Sequence, residues 1–256
     1  MLKVENLKTY FYLSDHVVKA VDGISFEVTE GQTVGLVGES GSGKSVTALS
    51  LLRLVQVPGK ICGGNVLWDK KDVLKFKSEE LRKLRGKEIG MIFQDPIGSL
   101  NPVITVGTHL LETLKVHYSK DSKKCYKRAL ELLETVGLPN QEKIMKKYAH
   151  ELSGGMCQRV MIALAIAPQP RLLIADEPTT ALDVTIQAEI LKLLKELIEQ
   201  FKMSLLLISH DLHVVKFMVK NVLIMKDGKI VEAGKIKKVF SEPEHGYTRR
   251  LLKATL

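Results

Sequence analysis

The sequence predicts an α/β fold: a mostly parallel sheet wrapped by helices, an antiparallel β portion at its start and an inserted helical segment. Three observations carry this. Short apolar runs alternate with amphipathic helical patterns on both sides of the chain's middle. The run Thr33-Val34-Gly35-Leu36-Val37 leads through a glycine-rich loop directly into a helical pattern. From about Val106 to Ala167 the strand-like runs stop and helical spacing takes over.

The N-terminal stretch alternates apolar and polar residues, as in Val17-Val18-Lys19-Ala20-Val21 and Ile24-Ser25-Phe26-Glu27-Val28, which predicts antiparallel strands at a sheet edge. A buried strand over 33–37 and a helix over 46–54 follow. Glu88 to Phe93 reads as a second buried strand, closed by Gln94-Asp95-Pro96. In the helical segment, Ala129, Leu130, Leu132, Leu133 and Val136 share one face, and Gly137-Leu138-Pro139-Asn140 stops that helix. Strand character returns over 171–176. A helix over 185–202 carries the stripe Ile190, Leu191, Leu194, Leu197, Ile198 and Phe201. Leu205 to Ser209 is another buried strand. Asp227-Gly228 between two apolar runs predicts a hairpin.

The loop Gly38-Glu39-Ser40-Gly41-Ser42-Gly43-Lys44-Ser45 fits G-x-x-x-x-G-K-[ST] in its strand–loop–helix context. Glycines let successive N–H groups turn inward around a phosphate, and the helix adds its positive end. Lys44 supplies charge for the β and γ phosphates, and Ser45 a hydroxyl ligand for Mg²⁺. The agreement of strand, loop and helix argues against a chance glycine-serine loop.

Leu172-Leu173-Ile174-Ala175-Asp176-Glu177 is an apolar strand ending in two acids. Asp176 is placed to hold Mg²⁺, and Glu177 to polarise a water beyond the γ-phosphate. Gln94 and His210 close other strands at the same sheet edge. Gln94 is a candidate ligand for Mg²⁺ or water, and His210 a candidate partner of the γ-phosphate. Leu152-Ser153-Gly154-Gly155-Met156-Cys157-Gln158 precedes an apolar helix. Alone, it reads better as a helix cap followed by two flexible glycines than as a phosphate site.

Composition narrows the classes. The 256 residues are 45% hydrophobic and 26% charged, enough for one large core. No apolar run approaches the roughly 20 residues of a membrane span, and the N-terminus has no secretory pattern, so the chain is expected in the cytosol or docked on a membrane through partners. Cys62, Cys125 and Cys157 form no C-x-x-C pair and read as free thiols. The net charge of +9 comes from lysines interleaved with acids, which favours a solvated surface over a nucleic-acid face.

Together, these residues resemble the nucleotide-binding subunit of ATP-binding-cassette (ABC) transporters, over essentially the whole chain and in the family's order. The resemblance assigns Walker A to Gly38–Ser45, the Q-loop to Gln94 and the signature to Leu152–Gln158. Walker B falls on Leu172–Asp176, the catalytic acid on Glu177, the D-loop on Ala181-Leu182-Asp183 and the switch on His210. Gln94-Asp95-Pro96, Ser99-Leu100-Asn101-Pro102, Met156, Glu177-Pro178-Thr179-Thr180 and His245-Gly246-Tyr247-Thr248 look like the oligopeptide, dipeptide and nickel importer branch. Cys157 departs from the Arg or Ser expected there.

The resemblance implies a P-loop NTPase fold with a RecA-like sheet. It implies an ATP-binding core over 1–96 and 166–235 with an antiparallel β subdomain, a helical subdomain over 97–165, and a C-terminal tail over 236–256. ATP and Mg²⁺ are the implied cofactors. The nucleotide is held by Gly38 to Ser45, Val46, Gln94 and Asp176, with Ser153 and Gly155 contributed by a partner chain. Mg²⁺ falls to Ser45, Gln94 and Asp176; Glu177, His210 and Lys44 carry the chemistry. An aromatic residue stacks on adenine, with Phe11 favoured by the family pattern and Tyr12 second. The implied partners are transmembrane permease subunits, a second and possibly paralogous ATP-binding subunit and, indirectly, an extracytoplasmic substrate-binding protein; nucleic acid is not among them. The implied location is the cytoplasmic face of the cell membrane. The cargo stays open among peptides, nickel, metal chelates and glutathione. The chain reads as a short nickel-type member or a truncated longer one. One rival is a non-transport ABC ATPase of DNA repair or the ribosome, but no coiled-coil heptads or zinc modules accompany the cassette. Another is a regulator that binds ATP without turnover, against which Glu177 and His210 both argue.

Overall fold

A computed structural model describes residues 1–180 and 182–255. Ala181, in the predicted D-loop, and Leu256 lie outside the described residues. The chain divides into two compact units, Met1–Leu81 with Ser204–Leu256, and Arg82–Met203.

The first unit opens with β1 (Leu2–Tyr12), β2 (Val17–Val28), β3 (Thr33–Val37), α1 (Lys44–Leu51), β4 (Gly59–Trp68) and β5 (Lys71–Asp72), followed by α2 (Ser78–Lys83). The second contains β6 (Ile89–Ile92), α3 (Val106–His117), α4 (Ser122–Thr135) and α5 (Gln141–Met145). It continues through α6 (Gly154–Ile166), β7 (Leu172–Asp176) and α7 (Val184–Gln200). The chain then returns to the first unit with β8 (Ser204–Ser209), α8 (Leu212–Met218), β9 (Asn221–Lys226), β10 (Lys229–Lys235), α9 (Ile236–Ser241) and α10 (Gly246–Thr255).

In the first unit, one antiparallel sheet runs β2-β1-β4-β5. Alternation buries Leu2, Val4, Val21, Ile24, Val28 and Val66. The predicted antiparallel pair is present, but only β2 lies at the edge; β1 is covered on its other side by β4. Strand β4 escaped the sequence reading because Gly59, Gly63 and Gly64 interrupt its alternation.

The same unit contains a mixed sheet. Strand β3 pairs in parallel with both β8 and β9, and β9 turns back antiparallel into β10. The turn is the predicted Asp227-Gly228 step, with φ of 47° and 77°, the left-handed pair of a tight hairpin. A central parallel strand is buried on both faces, which explains the unbroken apolar run Val34 to Val37. Gly35 lets α8 come close: a Cβ there would stand 2.8 Å from Val215 Cγ1.

Helix α1 begins at Lys44, two residues before the sequence expectation, and ends at Leu51 rather than 54. The early end is a backbone closure. Arg53 takes φ 52°, its N–H bonds Ser50 O at 3.1 Å, and the Leu54 N–H bonds Leu49 O at 2.8 Å. No side-chain pattern announces that turn, because a residue other than glycine occupies the left-handed position.

In the second unit, β6 and β7 pair in parallel, Ile89 with Leu172 through Ile92 with Ala175. Gly90 lies against α6, where a Cβ would meet the Ala165 carbonyl. Helices α3 to α6 bury Leu110, Leu114, Ala129, Leu132, Leu133 and Val160 against one another. Asp121 caps α4 by accepting from the Lys123 N–H at 2.9 Å. Gly137, at φ 73°, stops it where the sequence predicted. Helix α7 buries the predicted stripe from Ile190 to Ile198, with Phe201 as its C-cap.

Candidate functional site

In the first unit the glycine-rich loop joins β3 to α1. Two of its glycines are fixed by crowding. A Cβ on Gly38 would run into the Met225 carbonyl, and one on Gly43 into the Ala20 carbonyl of β2. Gly43 is also at φ 104° and Gly41 at φ 78°, conformations closed to most side chains. The loop is therefore pressed between two sheets of its own unit. Gly43 O accepts the Thr47 N–H and the Thr47 hydroxyl, each at 2.9 Å, which locks the first turn of α1.

Lys44 is buried, and its ammonium is folded back onto the loop. Nζ donates to Gly38 O and Glu39 O, both at 2.9 Å. Ser42 is buried beneath it, whereas Glu39, Ser40 and Gly41 are exposed and Ser45 and Val46 are half-buried. This is a preformed concavity around one cation at a helix N-terminus, the geometry that receives phosphate.

Val37 of β3 is in register with Ser209 of β8. The loop and the exposed His210 therefore leave adjacent strands at the same edge. Asp211 caps α8, accepting the His213 N–H at 2.8 Å, so the backbone after His210 is fixed. Phe11 and Tyr12 end β1. Phe11 is half-buried against Gly59. Tyr12 is exposed, with Lys60 Nζ 5.8 Å from its ring centre and its hydroxyl 3.3 Å from Cys62 Sγ.

One contributor escaped the sequence reading as a chemical residue. Tyr247, at the start of α10, is buried and accepts the Glu39 N–H on its phenol oxygen at 3.0 Å. Burial pushes its pKa above the ordinary phenol value. The C-terminal helix thus buttresses the loop more than 200 positions earlier (|i−j| of 208).

In the second unit, Ile92 pairs with Ala175, so Gln94 and the Asp176-Glu177 pair emerge from neighbouring strands. Asp176 is buried. Glu177 is half-buried at φ 46°, so its side chain leaves the strand sharply. One oxygen of its carboxylate accepts from Thr180 Oγ1 at 2.8 Å and from Gln94 Nε2 at 3.2 Å. Two donors on a single oxygen fix the orientation of the carboxylate.

The signature turn lies in this unit. Ser153 is exposed and caps α6, its hydroxyl accepting the Met156 N–H at 3.3 Å. Gly154 and Gly155 are half-buried; a Cβ on Gly155 would come 2.8 Å from Ile186 Cγ2. Cys157 is fully buried and its thiol lies 3.4 Å from Ala149 O, so it serves packing, and burial raises its pKa. Asp183 caps α7 through the Ile186 N–H at 3.0 Å.

The ABC transporter family pattern matches residues 21–180 of this chain. The chain belongs to that family. It is 51% identical over 253 residues to the oligopeptide transport ATP-binding protein AppD of Bacillus subtilis, covering 98% of this chain and 77% of that one. It is 48% identical over 254 residues to the dipeptide transport ATP-binding protein DppD of Haemophilus influenzae, covering 99% and 77%. A solved ATP-binding cassette, dimeric in a post-hydrolysis state with ADP and Pi, superposes with a TM-score of 0.81 at 30% identity over 92% of this chain and 99% of that one. The fold is that of a P-loop NTPase, and the chain is an ATP-binding, ATP-hydrolysing ABC subunit. No helix among the described residues is long and apolar enough to cross a membrane.

Proposed function

We propose that this subunit energises an importer of peptides or of nickel and other metal chelates, from the cytoplasmic face of the cell membrane. Two ATP-binding subunits, identical or paralogous, pair head to tail and dock on transmembrane permease subunits; an extracytoplasmic binding protein delivers the cargo. The peptide-transport names of the relatives support the cargo class. The segment 97–165 is the helical subdomain that faces the permease, 1–96 with 166–235 the ATP-binding core, and 236–256 a tail.

Gly38 to Val46 wrap the phosphates, and Lys44 shifts from the loop carbonyls to the β and γ phosphates. The side chain of Phe11 stacks on adenine, with Tyr12 beside it. Ser45, Gln94 and Asp176 hold Mg²⁺. They provide a hydroxyl, an amide oxygen and a carboxylate, the hard oxygen donors this ion takes. The fit is supported by Gln94, whose nitrogen is committed to Glu177, leaving the amide oxygen for a cation. Bound Mg²⁺ would spread the charge of the triphosphate. Glu177 orients and polarises the attacking water, and His210 meets the γ-phosphate. Ser153 and Gly155 close the nucleotide held by the partner.

The observation that carries this reading is the exposed Ser153 at the start of α6. Helices α1 and α6 each open on a glycine-bearing turn, and in this reading both N-termini meet anions. Pairing subunits gives each triphosphate one of both kinds.

The test uses Glu177→Gln in the complex with its permease. We expect ATP binding to persist, turnover to fall about 100-fold or more, and light scattering to show an ATP-dependent closed dimer. Adding Ser153→Arg should abolish that dimer while leaving ATP binding by the single chain intact. An unimpaired dimer in the double variant would overturn the composite site.

A further inference from the structure

A second cavity lies in the first unit, built entirely by the chain from α8 to α9. Its volume is about 830 Å³, within the range of small-molecule sites. Val219, Ile236 and Phe240 line it with apolar surface, and Lys216, Lys220, Lys235 and Lys237 stand around it. No acidic residue lines it, and none of these four ammoniums makes an ion pair among the described residues. Elsewhere in the unit, lysines do find acids, as Lys229 finds Asp22 and Lys238 finds Glu244.

The wall is rigid where it matters. The Lys220 N–H donates to Thr33 Oγ1 at 3.0 Å, and Lys220 O accepts the Ile236 N–H at 3.0 Å. One residue thus ties the start of β3 to the start of α9. Val219 and Ile236 are nearly inaccessible, so the apolar lining is held by the core and not by mobile side chains.

We propose that this cavity binds a small amphipathic anion: one carboxylate or phosphate head among the lysines, and a single acyl or aryl body against Val219, Ile236 and Phe240. Charge complementarity selects the head. Size selects a small molecule over a protein helix, because two turns of a helix 10–12 Å across fill roughly 1,000 Å³, more than the cavity offers. Four like charges around an apolar lining favour an anion over a neutral or cationic ligand of the same size. Nothing in the ATPase reading requires the cavity, so the two stand or fall separately.

The experiment titrates the intact chain, with and without ATP, by calorimetry. The probes are monomeric decyl phosphate, decanoate, decanol and decyltrimethylammonium, all below their aggregation concentrations. We expect saturable one-to-one binding of both anions. Decanol and the cation should bind at least about tenfold more weakly, the factor that loss of a charge-assisted contact brings. Lys220→Glu with Lys237→Glu should weaken decyl phosphate by a similar factor, with ATP affinity and thermal midpoint unchanged. Phe240→Ser should weaken all four probes together. Equal binding of decanol and decyl phosphate would overturn the proposal, as would charge-reversed variants that bind normally. So would binding seen only with phosphatidylglycerol vesicles and not with the monomers, which would mark a membrane contact instead.

Discussion

The turns that open α1 and α6 are held in opposite ways. The loop before α1 is over-determined. Gly38 and Gly43 are wedged against main-chain carbonyls, Lys44 bonds two further carbonyls, and Tyr247 holds the Glu39 amide. The turn before α6 is open. Ser153 is exposed, its hydroxyl makes one long capping bond, and Gly155 approaches only a side-chain methyl. The first is fixed by contacts within its own unit, whereas the second is, on the reading proposed above, completed by a partner. Preorganisation strengthens every later electrostatic contact at the first site.

The largest effect that would sharpen this contrast comes from Lys44→Ala. It removes charge-assisted contacts worth about 1.5–3 kcal/mol each, so ATP affinity in equilibrium titration should fall by at least about tenfold. Unchanged affinity would break the phosphate role outright. The paired glycine variants come next. Gly43→Ala places a Cβ on the Ala20 carbonyl at φ 104°, where left-handed backbone alone costs roughly 1–2 kcal/mol. Its thermal midpoint and ATP affinity should both drop. Gly155→Ala meets one methyl of the half-buried Ile186 and no main-chain atom, at an ordinary φ, so it should lose less stability than Gly43→Ala while dimer-dependent turnover falls. If both variants lose stability equally, the contrast between the two turns is wrong.

How much of this was legible in sequence depended on which atoms do the fixing. The placement of the loop glycines and of Asp176, Glu177 and His210 at strand ends was readable, because apolar runs closed by glycines or polar residues mark those ends. The Asp227-Gly228 hairpin and the Gly137 stop were readable for the same reason. Strand β4 was not, since its glycines serve bulges that only the pairing with β1 reveals. The closure at Arg53 was not, because a cation in a left-handed position carries no pattern. The bonds from Thr180 and Gln94 to Glu177 needed coordinates, as they join the ends of two strands with a residue separation of 83 in one case. Tyr247 stood out as part of a family-like motif, yet its contact with Glu39 could not be deduced across so long a stretch of chain.

Smaller effects refine the comparison. Tyr247→Phe removes the acceptor for the Glu39 amide, a loss of about 1 kcal/mol. ATP affinity should weaken by less than tenfold, with the fold intact by circular dichroism. Loss of all nucleotide binding would mean that α10 does more than support the loop. The smallest effect lies in the antiparallel sheet. Tyr10 donates to Asp22 at 2.6 Å, and this hydrogen bond raises the phenol from 10.0 to about 12. A phenol whose pKa is raised on folding lends stability that is fully present below pH 10 and fades as pH climbs from there toward 12. Denaturant titrations should show that decline in the parent and a shallower one in Tyr10→Phe. Identical slopes would remove the bond from the alkaline balance.

The two carbonyls that receive Lys44 give the ammonium a resting place. On the phosphate role proposed above, the positive charge returns to these main-chain oxygens when spent nucleotide departs. On that proposal the rotation of one side chain resets the cradle, because Gly38 and Gly43 stay wedged against main-chain carbonyls throughout.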